Sequence, residues 1–163
     1  MQNHKLDRID RVILKNLQED GRMTNVELAN RADISAPPCL RRVRTLESEG
    51  YILGYHAAID ASKLGYTEMF FALVGLSSQA QLVLQTFEQA VSQWSEVREC
   101  HMIRGGGDFL LKLVARDKAH RDDLTMRLTA SDNVVTVSTL ETIRTEKDAP
   151  GVPVVIDDPL PED

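Results

Sequence analysis

Apolar residues recur at helical spacing through the first third of the chain. One face of a 3.6-residue period is formed by Leu6, Ile9, Ile13 and Leu17, and Gly21 ends this run. Thr24 and Glu27 then have the spacing of a capping box, in which each side chain accepts a hydrogen bond from the backbone N–H of the other residue. The pattern therefore predicts one long helix followed by a short one.

A third helix is predicted after a tight turn. Ser35 is a suitable N-cap, and Pro37 and Pro38 fall in the first turn, where a missing N–H breaks no helical hydrogen bond. The helix ends at Gly50, and the sequence YILGYHAAID at residues 51–60 has the composition of one or two short strands. The first part of the chain is thus three helices followed by a short β segment.

The second half alternates strand and helix signals. A continuous apolar run at residues 69–76 is typical of a strand covered on both faces, and an amphipathic helix follows it. The apolar face of that helix consists of Val83, Phe87, Ala90, Val91 and Trp94. Further along, VRECHMI, FLLKLVA and NVVTVSTLETI have strand patterns, with the helical KAHRDDLTMRLTA between the last two. The order βαββαβ predicts a ferredoxin-like domain, so the fold class is α+β.

These elements divide the chain into four segments. Residues 1–60 form a helical domain, 61–66 a linker and 67–147 the ferredoxin-like domain. Residues 148–163 form an acidic tail that contains four of the six prolines. We expect this tail to be an extended arm. A strand added to a neighbour's sheet edge through VPVVI and a disordered segment both fit its composition.

Composition restricts the setting of the protein. With 42% hydrophobic and 27% charged residues, the chain is typical of globular proteins. Two isolated cysteines make no disulfide framework, the N-terminus is too polar for a signal peptide, and no apolar run approaches the roughly 18 residues of a membrane span. We therefore expect a reduced, cytoplasmic setting with no membrane partner.

The charge is unevenly distributed, which bears on nucleic-acid binding. The net charge is −6, but residues 1–66 carry ten Lys and Arg against nine Asp and Glu, whereas residues 67–163 carry nine against 16. A near-neutral domain binds DNA if its basic residues share one face.

The third predicted helix separates its basic and apolar residues. Its buried side consists of Cys39, Leu40, Val43 and Leu46, and its opposite side of Pro37, Arg41, Arg44, Thr45 and Ser48. Arg41 lies near the centre of that side and Arg42 on its flank, and an Arg fork suits both base edges and phosphates. Backbone N–H groups at Ser35 and Ala36 would add phosphate contacts. The pattern predicts a helix-turn-helix that binds double-stranded DNA, with a merely solvated helix face as the alternative.

A glycine-rich stretch, IRGGGDF at residues 103–109, joins the second and third predicted strands. It opens a strand and lacks a following Lys-Ser or Lys-Thr, which excludes a Walker A loop and a Rossmann fingerprint. Two alternatives remain, a hairpin with positive φ angles and a pocket for a free amino acid. In the pocket, backbone N–H groups of the glycine turn would bind the carboxylate and Asp108 the ammonium. Met102 and Leu140 would line the side-chain space.

Four stretches occur in order along the chain: LDRIDRVILKNLQEDGR, NVELANRADIS, PCLRRVRTLESEGYILGY and ECHMIRGGGDFLLK. Together they resemble the leucine-responsive regulator family of transcriptional regulators, also called the Lrp/AsnC or feast/famine family, from residue 6 to about 147. The resemblance implies an N-terminal winged helix-turn-helix and a C-terminal ferredoxin-like domain that dimerises and binds small effectors, usually amino acids. It also implies a homo-oligomer in which dimers build tetramers, octamers or larger rings.

The resemblance implies roles for individual residues as well. The recognition helix begins at Ser35, and Pro38, Cys39, Arg42 and Val43 match the family pattern. Arg41 stands where some relatives have glutamate, so their operator sequence does not transfer. The loop pattern of glycine, two variable residues, aspartate and an aromatic maps to Gly105, Gly106, Gly107, Asp108 and Phe109. Relatives hold effector between this loop and the last strand at a subunit interface, which adds the candidates Thr136, Ser138, Leu140 and Thr142.

Catalytic and metal chemistry find little support in the sequence. The four histidines have no metal-ligand spacing with each other or with the cysteines. Cys100 and His101 are adjacent on a predicted strand and would point to opposite faces, which prevents a thiolate–imidazole pair. We therefore expect a regulator without cofactor or metal rather than an enzyme. An effector-independent protein that organises DNA through its oligomer is the alternative.

Overall fold

A computed structural model describes residues 5–157, which form two compact units. The helical unit comprises the residues up to Ala58 together with those from Lys147, and the sheet unit comprises Ile59–Glu146. The sequence predicted residues 148–163 as a separate tail. The described part of that tail instead belongs to the helical unit.

Three helices build the helical unit: α1 (Arg8–Glu19), α2 (Asn25–Arg31) and α3 (Ala36–Ser48). Capping boxes begin α1 and α2, the first formed by Asp7 with Asp10 and the second by Thr24 with Glu27, as the sequence predicted for the second. The core consists of Ile13, Leu28, Ala29, Ala32, Cys39 and Leu46. Leu40 was predicted to be buried with them, but it is 39% exposed.

The segment after α3 is extended and makes no strand. Residues 52–60 are described and contain neither helix nor sheet pairing, so the one or two strands predicted for 51–60 are not formed. The physical reason is that the segment has no partner strand within the described chain, and even an isolated hairpin is only marginally stable in water.

The sheet unit follows the predicted βαββαβ order, which confirms the α+β class. After a 3₁₀ turn (Ser62–Leu64), its elements are β1 (Glu68–Leu76), α4 (Gln81–Ser92), β2 (Val97–Met102), β3 (Phe109–Ala115), α5 (Lys118–Thr129) and β4 (Val134–Glu141). The strands are antiparallel in the order β2-β3-β1-β4. This is the strand order of a ferredoxin-like sheet.

Alternation along the strands gives this sheet two different faces. One face is buried under α4 and α5, and its core contains Phe70, Ala72, Val74, Phe109, Leu111 and Leu113 with Phe87, Val91, Leu124 and Leu128 from the helices. The other face, which we call the open face, bears no helix of the described sheet unit. Its centre consists of Phe71, Leu73 and Gly75 on β1, paired respectively with Leu140, Ser138 and Thr136 on β4.

Candidate DNA interface and effector site

The side of α3 opposite the core carries unpaired cations. Arg41 and Arg44 are exposed, and within residues 5–157 neither guanidinium makes an ion pair or a hydrogen bond. The Thr45 hydroxyl donates to the carbonyl of Arg41 at 3.0 Å and keeps acceptor capacity. Both arginines are therefore free to contact the base edges or phosphates of a duplex.

Arg42 has a structural role that was not among the sequence predictions. Its Nη1 lies 2.8 Å from Asp7 Oδ2 and 2.7 Å from Asp10 Oδ1, and Asp10 is fully buried. The hydrogen bond to Asp10 raises the pKa of the Arg42 guanidinium further above its usual value. Arg42 thus holds α3 against α1 through Nη1, and its contact with DNA stays a prediction that would involve its remaining donors.

The N-terminus of α3 offers few donors. Ser35 is the N-cap, but its exposed hydroxyl makes no capping hydrogen bond. Pro37 and Pro38 have no N–H, and the Cys39 N–H already donates to the Ser35 carbonyl at 3.2 Å. The donors left for a phosphate at this end are the Ser35 hydroxyl and the backbone N–H groups of Ser35 and Ala36. Pro37 is exposed and Pro38 half-buried, so these two residues offer apolar contact only.

The C-terminal part of α3 is held by a tyrosine from the following segment. The Tyr55 hydroxyl donates to Glu47 Oε1 at 3.0 Å. Burial, reinforced by the hydrogen bond to Glu47, raises the pKa of Tyr55 to about 12. The strands predicted for residues 51–60 gave no indication of this contact.

The glycine stretch is a hairpin loop between β2 and β3. The Ile103 N–H donates to the Asp108 carbonyl at 2.9 Å, and the Asp108 N–H donates to the Val74 carbonyl at 2.8 Å. Gly105 has a φ of +132°, which favours glycine. A Cβ on Gly107 would lie 3.0 Å from Leu73 Cγ and from the Val74 carbonyl oxygen, whereas one on Gly106 would make an ordinary contact at 3.4 Å. Local geometry thus explains Gly105 and Gly107 but not Gly106.

Asp108 ties this loop to the end of β1. Its Oδ2 accepts a hydrogen bond from the Leu76 N–H at 2.7 Å, and its Oδ1 accepts one from Gln79 Nε2 at 3.1 Å. The sheet register shifts between Gly75 and Leu76, so the carboxylate binds the amide directly after this irregularity. A carboxylate has about four acceptor sites, which leaves capacity for a ligand ammonium.

The loop and β4 flank the same stretch of β1 on the open face. Gly107 lies against Leu73, whose partner on β4 is Ser138, and the hydroxyl of Thr136 lies where a Cβ of Gly75 would stand. Gly75 was not among the predicted site residues, although a glycine inside a strand pattern signals close approach by another group. The structure therefore places Gly106 and Gly107 against Leu73, beside Thr136 and Ser138 on β4, with Leu140 further along the same face.

Two predicted effector contacts lie on the opposite face. Phe109 is 1% exposed, and its ring centroid is 5.0 Å from that of Phe87 in the core. Met102 pairs directly with Phe109 and therefore points to the same, helix-covered side of the sheet. Neither side chain lines the open face with Leu140, and both predictions are corrected. The alternation of side chains along β2 and β3 places both residues on the helix-covered face.

Cys100 and His101 do not form a thiolate–imidazole pair. Cys100 pairs with Leu111 and His101 with Leu110, so their side chains point to opposite faces of β2. His101 Nε2 lies 3.1 Å from Glu99 Oε2, and burial raises the pKa of the Cys100 thiol. Among residues 5–157, His, Cys, Asp and Glu form no group of three that would hold a metal. No helix in this part of the chain is long and apolar enough to cross a membrane.

Two family models match the two parts of the chain. A winged helix-turn-helix DNA-binding model matches residues 6–52, and an Lrp/AsnC ligand-binding domain model matches residues 69–152. Together with the geometry, they define a DNA-binding transcriptional regulator with a domain that senses a small effector. The chain belongs to the Lrp/AsnC family.

Relatives and solved structures agree with this assignment. The chain is 52% identical over 146 residues to a leucine-responsive regulatory protein of Rhizobium meliloti, which covers 89% of this chain and 94% of that protein. It is 39% identical over 144 residues to a proline dehydrogenase transcriptional activator of Rhizobium radiobacter, with 88% and 92% covered. The structure is similar to that of a transcriptional regulator of Neisseria meningitidis in complex with L-methionine, with a TM-score of 0.87, 30% identity and 91% and 97% of the two chains covered.

Proposed function

We propose that the exposed side of α3 binds the major groove of operator DNA, with Arg41 and Arg44 as its central contacts. The observation that carries this proposal is that both guanidinium groups are exposed and unpaired in the described chain, while Arg42 beside them is held by Asp7 and Asp10. Thr45 and Pro37 flank these arginines, and the Ser35 hydroxyl and Ala36 N–H add phosphate contacts.

The DNA interface is tested by selecting sequences from a random duplex library and measuring affinity for the selected duplex at several salt concentrations. Arginine contacts displace counterions, so the logarithm of the affinity should fall linearly with the logarithm of salt, with a slope of roughly −0.9 per phosphate contact. Failure to enrich any sequence, or an affinity independent of salt, would contradict the proposed interface.

The effector site is proposed on the open face, between the glycine loop and β4. Asp108 is the acceptor for the ammonium, the loop N–H groups bind the carboxylate, and Thr136, Ser138 and Leu140 face the same space. Support for an amino acid comes from the L-methionine complex of the Neisseria structure and from the leucine-responsive name of the Rhizobium relative. Gly106, which local geometry does not require, is the position at which this chain would adjust the pocket.

A second copy of the chain is the proposed cover of the open face. Phe71, Leu73 and Leu110 are apolar and half-buried there, and no helix of the described sheet unit covers them. A symmetric dimer would read a pseudo-palindromic operator, with half-sites about one helical turn or a multiple apart. Larger oligomers, from tetramers to octamers, would space several such dimers along the DNA.

The sensing role is tested by a melting-temperature screen against the twenty amino acids. A ligand that binds only the folded state raises the unfolding free energy by RT ln(1 + [L]/Kd), which is about 2.7 kcal/mol at 100 times Kd. The melting temperature rises accordingly. Asp108→Asn should lose most of this shift, and Asp132→Asn, on the surface of the same unit, should retain it. If no amino acid shifts the wild-type transition while DNA binding persists, the chain is the effector-independent DNA-organising protein instead.

A further inference from the structure

The described end of the chain lies in a groove of the helical unit. We call residues 151–157, with the sequence GVPVVID, the strap. The groove lies between α1 and residues 51–55, encloses about 490 Å³ and is lined by Leu6, Leu14, Leu17, Ile52 and Tyr55 among others. The strap contains no helix or strand, and residues 151–155 form the remaining wall of this groove.

Polar contacts fix the position of the strap along α1. Gln18 Nε2 donates to the Val152 carbonyl at 2.8 Å, and Gln18 Oε1 accepts from the Val152 N–H at 3.2 Å, so one side-chain amide pairs with both backbone groups of one residue, as a neighbouring strand would. Arg11 Nη1 donates to the Val155 carbonyl at 2.8 Å. The exposed Arg8–Asp157 pair at 3.5 Å adds little.

Val154 is the least exposed strap residue that lines the groove. It is half-buried, whereas Val152 and Val155 are 68% and 53% exposed. Gly151 begins the strap with a φ of +62°, and a Cβ there would collide with the Gln18 amide. The strap therefore docks in one register, set by the glycine, the paired amide and the half-buried Val154.

We propose that strap and groove form an intrachain clasp, which ties the chain leaving the sheet unit to the helical unit of the same molecule. This inference rests on the proposed function for its regulatory meaning. Strand β4, with Thr136 and Ser138, ends at Glu141, and only residues 142–150 separate it from the strap. Residues 142–150 span at most roughly 30 Å when fully extended. The docked strap therefore keeps the end of β4 within this distance of the groove.

The groove also reaches the recognition helix. Tyr55 lines the groove and donates its hydroxyl hydrogen bond to Glu47 on α3. A change at the end of β4 that pulled on the strap would therefore disturb a residue that holds α3. The chain passes between the two units a second time after Glu146, and the clasp holds that second connection to the helical unit through hydrogen bonds and apolar contacts.

Hydrogen exchange on the full chain tests docking without reference to DNA. Two variants release the strap: deletion of residues 151–163, and Gln18→Glu, which cannot donate to the Val152 carbonyl. Amides of residues 14–19 and 52–55 should exchange faster in both, on the order of tenfold for Gln18→Glu, because local opening becomes easier. Glu19→Gln, exposed on the same helix, is the matched control. Unchanged exchange in Gln18→Glu would overturn the clasp even if the deletion failed to fold.

A cross-linking experiment distinguishes the chain's own strap from that of a second copy. Leu53→Cys and Val155→Cys place two accessible thiols on the groove in a Cys100→Ser background, while Cys39 stays buried. Light and heavy isotope-labelled protein is mixed, allowed to exchange subunits and treated with a short bis-maleimide. An intrachain clasp gives only light–light and heavy–heavy linked peptides. Mixed light–heavy peptides would overturn the proposal and show that the strap is swapped.

The regulatory consequence has a separate readout. Gln18→Glu should bind the selected duplex like wild type but show at least a threefold smaller change of affinity when the stabilising amino acid is added. A full amino-acid response in a variant whose exchange proves that the strap is released would overturn the coupling. A wild-type chain that binds no duplex would contradict the proposed DNA function, while exchange and cross-linking would still decide the clasp.

Discussion

The two candidate sites differ in whether the same side chain makes both the structural contact and the proposed ligand contact. On α3, Arg42 takes the structural task by pairing with Asp7 and Asp10, and it leaves Arg41 and Arg44 exposed for a ligand. At the glycine loop, Asp108 performs the structural task itself, because its carboxylate holds the Leu76 N–H and Gln79. In the helix site, different residues therefore make the structural and the ligand contacts, whereas in the loop site one residue makes both.

This difference predicts how substitutions will behave. On α3, loss of stability and loss of binding should be separable, because different arginines carry them. At the loop they should occur together, since the proposed ammonium acceptor also fixes the loop to β1. We expect substitutions of the binding residues on α3 to leave the stability of the protein unchanged. The loop is held in place by Asp108 before a ligand binds, which favours a preorganised pocket.

The largest effect is expected for Arg42→Ala. It leaves the fully buried Asp10 carboxylate without its guanidinium, and breaking a buried pair in this way costs about 3 kcal/mol of unfolding free energy. Denaturant unfolding measures the loss, with Arg41→Ala as the control on the next residue. Equal stability of the two variants would mean that Arg42 does not hold α3, and the contrast between the sites would disappear.

Arg41→Ala should show the reverse behaviour. Its unfolding free energy should stay within about 0.5 kcal/mol of wild type, because the side chain is exposed and unpaired in the described chain. Its affinity for the selected duplex should fall by about 1–3 kcal/mol with relaxed base preference at one position. Denaturant unfolding measures the unfolding free energy, and a fluorescence titration with the selected duplex measures the affinity. Arg98→Ala, on β2 of the other unit, serves as control. An unchanged affinity would remove Arg41 from the interface.

Much of the fold could be predicted because its signals are local. Helical periodicity, the Thr24–Glu27 capping box and the strand–helix order each depend on residues close in sequence, and all three appear in the structure. The buried and exposed sides of α3 were also predicted correctly at Cys39, Leu46 and Arg41, since one helical period sets them.

The errors concern contacts between residues far apart in sequence. Arg42 pairs with Asp10 across 32 positions, and Asp108 binds the Leu76 amide across the same separation, so no local pattern shows either contact. Phe109 was assigned to the effector site by its place in a motif, but the pleat of β3 turns it into the core. Strap docking depends on Gln18, which the periodicity of α1 marks only as a polar position.

The loop offers a smaller contrast between two neighbouring glycines. Gly107→Ala would bring a Cβ to 3.0 Å from the Val74 carbonyl oxygen and Leu73, which should cost about 1 kcal/mol of stability, whereas Gly106→Ala should cost less than about 0.5 kcal/mol. Thermal and denaturant unfolding measure both, and the amino-acid screen should show a changed ligand preference for Gly106→Ala. Equal destabilisation would indicate that the loop relaxes freely, against the rigid site inferred above.

The smallest effect concerns the tyrosine at the far end of α3. Burial, with the hydrogen bond to Glu47, raises the pKa of Tyr55 to about 12 in the folded state, against about 10 when unfolded. The folded state therefore keeps a proton that the unfolded state loses, and the stabilisation, complete below pH 10, is lost as pH rises towards 12. Because Tyr55 is 47% exposed, we expect this loss to be only about 0.5 kcal/mol after solvent screening. Tyr55→Phe removes the ionisation, so the difference in unfolding free energy between wild type and variant should narrow as pH rises from about 10 to about 12. Parallel stability curves for the two proteins over this range would show that Tyr55 does not help to hold α3, and would leave Arg42 with the larger share of that task.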